Sequence, residues 1–139
     1  METQVIFSLG FFVYSGIMFI IMRNQKLAAI TLFFLVLLYV LHVQGMAHHF
    51  YLNYWFYDVI THFLGGVCIA LSALYLTKNP KHIISVTIVC GIIWEIFEVY
   101  FDITGWPISS RAYQLDTIKD MIMDTLGALS VWLIVRNKK

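Results

Sequence analysis

The sequence contains few charged residues for its length, and this scarcity narrows the class of protein. Only 12% of its 139 residues are Asp, Glu, Lys or Arg, whereas 60% are hydrophobic. A soluble globular domain carries about 25% charged and about 45–50% apolar residues. A chain this short cannot bury so much apolar surface, because a small domain has a high surface-to-volume ratio. The composition therefore excludes a soluble enzyme domain and a disordered linker, and it predicts an integral membrane protein.

The sequence also lacks an excess of charge of either sign and a set of paired cysteines. The formal net charge is +1, so nothing indicates a polyanionic partner, and we expect no nucleic-acid binding. Its two cysteines, Cys68 and Cys90, lie inside apolar runs and indicate no redox compartment. The expected partner is the membrane lipid itself.

Five apolar stretches approach the length of about 20 residues that a membrane-spanning helix requires. They cover about residues 5–22, 27–47, 58–77, 83–101 and 116–135. None shows the alternation that is typical of a barrel strand. The predicted fold class is therefore all-α, with residues 1–139 forming a single transmembrane domain built as a bundle of five helices.

Lysine and arginine are distributed unevenly between the two sides of such a bundle. Only Arg111 and Lys119 fall on one side. Basic residues are enriched in cytoplasmic loops, so we predict an amino terminus outside the cell and a carboxyl terminus in the cytoplasm. The seven basic residues of the cytoplasmic side are Arg23, Lys26, Lys78, Lys81, Arg136, Lys138 and Lys139.

Polar residues form stripes within the predicted spans. Helix residues four apart share a face, as Asp58 and His62 do on the third helix. In the predicted topology every stripe lies in the outer half of the bilayer. The other stripes are Gly91, Glu95, Glu98 and Asp102 on the fourth helix, Asp116, Asp120, Asp124 and Gly127 on the fifth, and His42, Gly45 and His49 on the second.

The carboxylates of these stripes are unfavourable inside a membrane unless a cation accompanies them. One Asp at the centre of a span costs about 2.5–3.5 kcal/mol. Lys119 and Arg111 cannot neutralise the six carboxylates that the stripes contain apart from Asp102. We therefore predict one or two divalent metal ions, and the mixture of oxygen and imidazole ligands suits Zn, Fe or Mn. The predicted ligands are His62, Glu95, Asp116, Asp120 and Asp124.

Several of these polar residues have alternative interpretations. Glu98 and Asp58 are predicted as a general base or as the partner that orients His62. Asp116 alternatively caps the amino terminus of its helix. The three remaining histidines of the outer side are either ligands or solvated interface residues, and their roles stay open: His42, His48 and His49.

The acidic stripes resemble those of a group of small bacterial inner-membrane proteins. The residues that carry the resemblance are Asp58-x-x-x-His62-Phe63, Glu95 with its following acids, and Asp116-Thr117-x-x-Asp120-x-x-x-Asp124-x-x-Gly127. The group is the YjdF-like proteins, with a more distant similarity to the VanZ-like family. The resemblance implies a multi-pass protein of the bacterial cytoplasmic membrane with acids and histidine at one end. It implies no particular substrate.

The favoured functional hypothesis is a metal-dependent hydrolase or transferase that acts on a lipid or lipid-linked head group. The alternative is a proton- or divalent-cation-coupled transporter, although the inner halves of the helices lack polar residues and no inverted repeat is visible. A di-metal oxidative enzyme ranks lower. Such enzymes usually contain a Glu-x-x-His pattern, but the residue three positions after Glu95 is Glu98 and not histidine. A structural membrane protein is the remaining alternative, and a homo-oligomer is left open.

Overall fold

The computed structural model describes residues 24–77, 79, 81–101, 103 and 106–136, and this part of the chain contains helices but no strands. Four long helices are α1 (Gln25–Ala47), α3 (Trp55–Leu76), α4 (Lys81–Tyr100) and α5 (Arg111–Val135). A short helix, α2 (Phe50–Asn53), lies between α1 and α3. The predicted all-helical fold is confirmed. The helix predicted over about residues 5–22 lies outside the described residues.

Three of the described helices are long and apolar enough to cross a membrane. They are Gln25–Ala47, Trp55–Tyr75 and His82–Tyr100. α5 is long but is not among them, because charged side chains interrupt its amino-terminal half. Those side chains are Arg111, Asp116, Lys119 and Asp120, and Asp124 follows just beyond the midpoint.

All four long helices begin earlier than their apolar stretches predict, α1 and α4 by two residues and the other two by more. α3 begins at Trp55 instead of residue 58, and α5 begins at Arg111 instead of residue 116. The start of α5 is set by Ser110, whose side-chain oxygen accepts a hydrogen bond from the backbone N–H of Tyr113. Such a cap stabilises the first turn of a helix. Asp116 therefore lies inside α5, and the alternative that it caps the helix is wrong.

α2 is a single helical turn that the sequence did not predict. It follows His49, whose φ of 56° places that residue in the left-handed region. The ring of Tyr51 packs back against Gly45 of α1. A Cβ atom at Gly45 would lie 2.5 Å from ring carbons of both Tyr51 and Tyr57. The absence of a side chain at Gly45 therefore allows α2 to pack against the end of α1.

Contacts between the helices define their directions. The Tyr57 hydroxyl, near the start of α3, donates to the Leu41 carbonyl near the end of α1, at 2.5 Å. The Tyr75 hydroxyl, near the end of α3, donates to the Asn24 carbonyl that precedes α1, at 3.2 Å. α1 and α3 are therefore antiparallel.

The closest helix packing joins α3 and α5, which run parallel. A Cβ atom at Gly66 would overlap the backbone carbonyl of Asp124, and one at Gly127 would overlap the backbone carbonyl of Phe63. Small residues allow helix backbones in a membrane to approach in this way. This approach brings the acidic stripe of α5 against the polar stripe of α3.

The end of the bundle opposite to these stripes is apolar. A buried hydrophobic cluster there consists of Val67, Ala70, Leu71, Ala73, Ile83, Ala128 and Val131. The buried hydroxyls of Thr31, Ser72 and Thr87 each donate to a carbonyl four residues earlier in their own helix. Every buried Asp, Glu or His among the described residues lies in the other half of the bundle.

Candidate metal centre

Asp58 and His62 of α3 meet Asp120 of α5 with the spacing of metal ligands. One potential ligand atom from each residue lies within 4.8 Å of the other two. Nε2 of His62 is 3.5 Å from Oδ1 of Asp58 and 3.8 Å from Oδ2 of Asp120. Ligands of a tetrahedral ion with bonds of about 2.0–2.2 Å lie about 3.4 Å apart. The three atoms could therefore bind one ion after small side-chain movements.

Asp124 lies beside the other nitrogen of the His62 ring. Its Oδ1 is 3.6 Å from Nδ1 of His62, and the Asp124 side chain is almost completely buried. Metal-binding histidines commonly direct their second ring nitrogen at a carboxylate, which orients the ring. Asp124 is predicted from the sequence as a ligand, and the structure places it where the orienting partner would be.

Lys119 contacts three carboxylates on the outer side of the centre. Its Nζ is 2.7 Å from Oδ2 of Asp58, 2.5 Å from Oδ1 of Asp116 and 3.4 Å from Oδ1 of Asp120. Asp58 and Asp120 thus direct one oxygen at Lys119 and the other at His62. The sequence analysis does not predict this central position of Lys119 among the carboxylates. The spacing of three residues from Asp116 to Lys119 is the signal for one of these contacts.

Glu95 and Glu98 of α4 lie near the centre but are not part of the group with ligand spacing. Oε2 of Glu95 accepts a hydrogen bond from the Thr117 hydroxyl at 2.7 Å, whereas Oε1 has no hydrogen-bond partner among the described residues. Oε1 of Glu98 accepts from the Trp94 indole at 2.9 Å. Both carboxylates are buried and close enough to His62 to interact with it electrostatically.

An apolar groove on the surface between α4 and α5 reaches Glu95. Its volume is about 200 Å³. Apart from Glu95 and Thr117, its lining is Ile92, Ile96, Val99, Tyr113 and Met121. The groove therefore combines an apolar wall with one buried carboxylate.

The three histidines whose roles were open do not lie in the group with ligand spacing. Nδ1 of His42 is 2.9 Å from the Tyr51 hydroxyl. His48 and His49 are exposed, and the His48 ring stacks on Phe50. Burial raises the pKa of the Tyr51 phenol above its ordinary value. The Tyr51 hydroxyl is therefore protonated at neutral pH and can donate to His42.

Among the described residues, the side of the centre formed by Asp116 and Lys119 is more exposed than the side formed by Asp120. The side chains of Asp116 and Lys119 are 32% and 33% exposed, whereas that of Asp120 is 2% exposed. Asp58 lies about 5 Å along the helix axis from Trp55, at 1.5 Å per residue. Exposed aromatic side chains at this end are typical of a head-group interface. They are Tyr54, Trp55, Tyr100 and Trp106.

A known family covers almost the whole chain. Residues 2–139 match the model of a family described as predicted membrane protein (DUF2238). No curated protein and no solved structure matches the chain. The match and the three apolar helices support the membrane location that the composition predicts. The chain belongs to the DUF2238 family of predicted membrane proteins.

Proposed function

We propose that this protein is a divalent-metal-dependent membrane enzyme, a hydrolase or transferase that acts on a lipid or lipid-linked head group. The observation that carries the proposal is the convergence of Asp58 Oδ1, His62 Nε2 and Asp120 Oδ2 at the aromatic end of the bundle. Catalytic zinc sites have three protein ligands and keep the fourth position for water or substrate. Three converging ligand atoms fit that class better than a closed structural site.

The burial of Asp120 supports a cation at this position. Asp120 is 1% exposed, and its Oδ2 is the oxygen directed at His62, whereas its Oδ1 faces the Lys119 ammonium at 3.4 Å. A buried carboxylate is strongly unfavourable unless it is paired or binds a metal. Zn, Fe and Mn all accept a mixed set of carboxylate and imidazole ligands. When bound, such an ion lowers the pKa of its water towards neutrality and polarises a phosphoryl or carbonyl oxygen.

Glu98 is the proposed general base. It lies outside the ligand group, interacts electrostatically with His62 and Asp58, and is held by the Trp94 indole. Asp58, the other residue predicted for this role, is engaged by Lys119 and faces His62. A general base must lie near the reacting group and must not itself bind the metal ion. Glu98 fits this requirement better than Asp58 does.

The position of the centre supports a lipid as the substrate. The exposed side of the centre lies about one helical turn from Trp55, within the depth of lipid head groups. The groove between α4 and α5 is apolar and reaches Glu95 beside the centre. An acyl chain in this groove would place its head group near the proposed ligands.

The described part of the chain supports an enzyme over the alternative of a transporter. A proton or cation that crosses the membrane needs polar groups along its path. Here the buried acids and His62 lie in one half of the bundle, and the apolar cluster around Val67 and Ala128 fills the other.

We further propose a multi-pass arrangement in the bacterial cytoplasmic membrane. In this arrangement α5 and residues 5–22 span the membrane beside α1, α3 and α4, with the amino terminus outside. The seven basic residues predicted on the cytoplasmic side support this orientation. The burial of Asp120 and Asp124 against α3 makes a span by α5 favourable despite its charges. The specific YjdF-like and VanZ-like relationships stay predictions.

The function is tested with purified protein in vesicles made from lipids of the producing cells. Mass spectrometry before and after addition of Mn²⁺ or Zn²⁺ should reveal a metal-dependent change of one lipid head group. Asp120→Asn should abolish this change. His82→Gln is the matched control, because His82 is exposed and its side chain forms hydrogen bonds with Thr77 and Asn79 at the opposite end of α4 from Glu95. An unchanged lipid spectrum with metal-loaded wild-type protein would refute the proposed activity.

A further inference from the structure

We propose that the Lys119 ammonium holds the place of a second cation and thereby makes the metal centre mononuclear. The inference rests on the proposed metal centre and specifies how many ions it binds. The sequence alone predicts one or two ions.

Asp58 and Asp120 are arranged as bridging ligands. Each directs one carboxylate oxygen at His62 and the other at Lys119. In hydrolytic sites with two metal ions, the ions lie about 3.5–4 Å apart and act together on one substrate. The division of oxygens here matches such a site, with a protein ammonium group in the place of one ion.

Asp116 completes the surroundings of this second position. The Lys119 Nζ atom has three carboxylate oxygens around it, at 2.7 Å from Asp58, 2.5 Å from Asp116 and 3.4 Å from Asp120. An ammonium group has three N–H donors, and three oxygens of separate carboxylates would equally suit a hard divalent ion. Asp116 thus has a role as a ligand of the ammonium group, away from His62.

The buried oxygen of Asp120 is a separate indication of a cation position. Asp120 is 1% exposed, and its Oδ1 atom has no hydrogen-bond partner among the described residues. Among the described residues, the ion-pair partner of this oxygen is the Lys119 ammonium, 3.4 Å away. This oxygen is therefore directed at a cation position that the ammonium group fills incompletely.

A tethered ammonium group has a consequence that a second metal ion would not have. It remains present when metal is scarce, so it holds Asp58 and Asp120 in place before the ion binds. It also takes away the oxygens that a second ion would need. The centre therefore supports hydrolytic or transfer chemistry at one ion, and the di-metal oxidative alternative is disfavoured.

Metal stoichiometry after equilibration with Mn²⁺ tests the inference. We expect one equivalent in the wild type, two in Lys119→Met and one in Lys119→Arg, which restores the cation. Adding Asp116→Asn to Lys119→Met should return the stoichiometry to one, because the second ion loses a ligand. Size-exclusion chromatography and circular dichroism show whether each variant is folded.

The outcomes separate this inference from the proposed metal centre. If the folded Lys119→Met protein and the wild type each bind one equivalent of Mn²⁺, the proposed role of Lys119 is overturned. The proposed metal centre itself is not affected by that result. A wild type without metal overturns the metal centre itself. If the variants do not fold, electron paramagnetic resonance of the wild type decides: an isolated Mn²⁺ signal supports the inference, and a spin-coupled pair overturns it.

Discussion

Asp124 Oδ1 lies 3.6 Å from Nδ1 of His62, while Nε2 of the same ring faces Asp58 and Asp120. The ring is thus placed between one carboxylate on one side and two on the other. Gly91 leaves room for Asp124, because a Cβ atom there would lie 2.9 Å from Oδ2 of Asp124. This relationship distinguishes an orienting carboxylate from the proposed ligands and leads to separable predictions.

Asp124→Asn should weaken metal binding without abolishing it. Loss of a carboxylate that orients a metal-binding histidine typically lowers affinity about 10–100-fold, and the stoichiometry should stay at one. Competition with a chelator of known affinity measures this. Glu98→Gln is the control and should change the affinity little, because Glu98 lies outside the ligand group. Complete loss of metal from Asp124→Asn would make Asp124 a ligand, contrary to this account.

Gly66→Ala should destabilise the bundle, whereas Gly65→Ala should be tolerated. The added methyl at Gly66 would overlap the Asp124 backbone, but at Gly65 its nearest neighbour is Asp124 Oδ1 at 3.6 Å, an ordinary contact. Overpacking typically costs about 1–3 kcal/mol. Thermal unfolding in detergent should show a lower midpoint for Gly66→Ala only. Equal midpoints for the two variants would contradict the close packing of α3 on α5.

Thr117→Val should destabilise the protein more than Thr117→Ser. Valine removes the hydroxyl that donates to Oε2 of Glu95, whose Oε1 already lacks a partner among the described residues. Leaving a buried acceptor unpaired costs about 1–3 kcal/mol, more for a charged group. Serine keeps the donor. Thermal unfolding midpoints compare the two Thr117 variants. A double variant that combines Thr117→Val with Glu95→Gln measures the coupling between Thr117 and Glu95. Additive effects of the two substitutions would argue against the hydrogen bond.

Tyr51 should lose its phenolic proton at a higher pH than an exposed tyrosine does. Burial raises its pKa, whereas an unperturbed phenol has a pKa of about 10. The unfolded chain therefore loses this proton first, so the contribution of Tyr51 to stability is lost as the pH rises above about 10. The difference in tyrosinate absorbance between wild type and Tyr51→Phe measures it. A full tyrosinate difference at pH 10.5 would contradict the buried position.

The sequence predicted the faces of single helices well, because spacing determines which residues share a face. Asp58 with His62, and Asp120 with Asp124, do lie together. It could not predict which helices pack together, since that depends on the close approach of Gly66 to the Asp124 backbone. The ion pair of Lys119 with Asp58 is a consequence of that packing, and the hydrogen bond from Thr117 to Glu95 depends in turn on how α4 packs against α5. They were therefore invisible in a linear pattern of acids.

Helix starts were the other weakness of the sequence-based prediction. Apolar content marks the part of α5 that suits a membrane, but the helix begins at its cap, Ser110. The same limitation concealed α2, whose single turn is too short for periodicity to reveal. Its effect on the site is local, because it brings Tyr51 to His42.

The most direct measurement of the central claim is anomalous X-ray scattering from crystals grown with Mn²⁺ or Zn²⁺. We expect one anomalous peak, about 2.0–2.2 Å from Asp58 Oδ1, His62 Nε2 and Asp120 Oδ2, and no peak in Asp120→Asn crystals. An absent peak in wild-type crystals, or an ion bound by other residues, would contradict the claim.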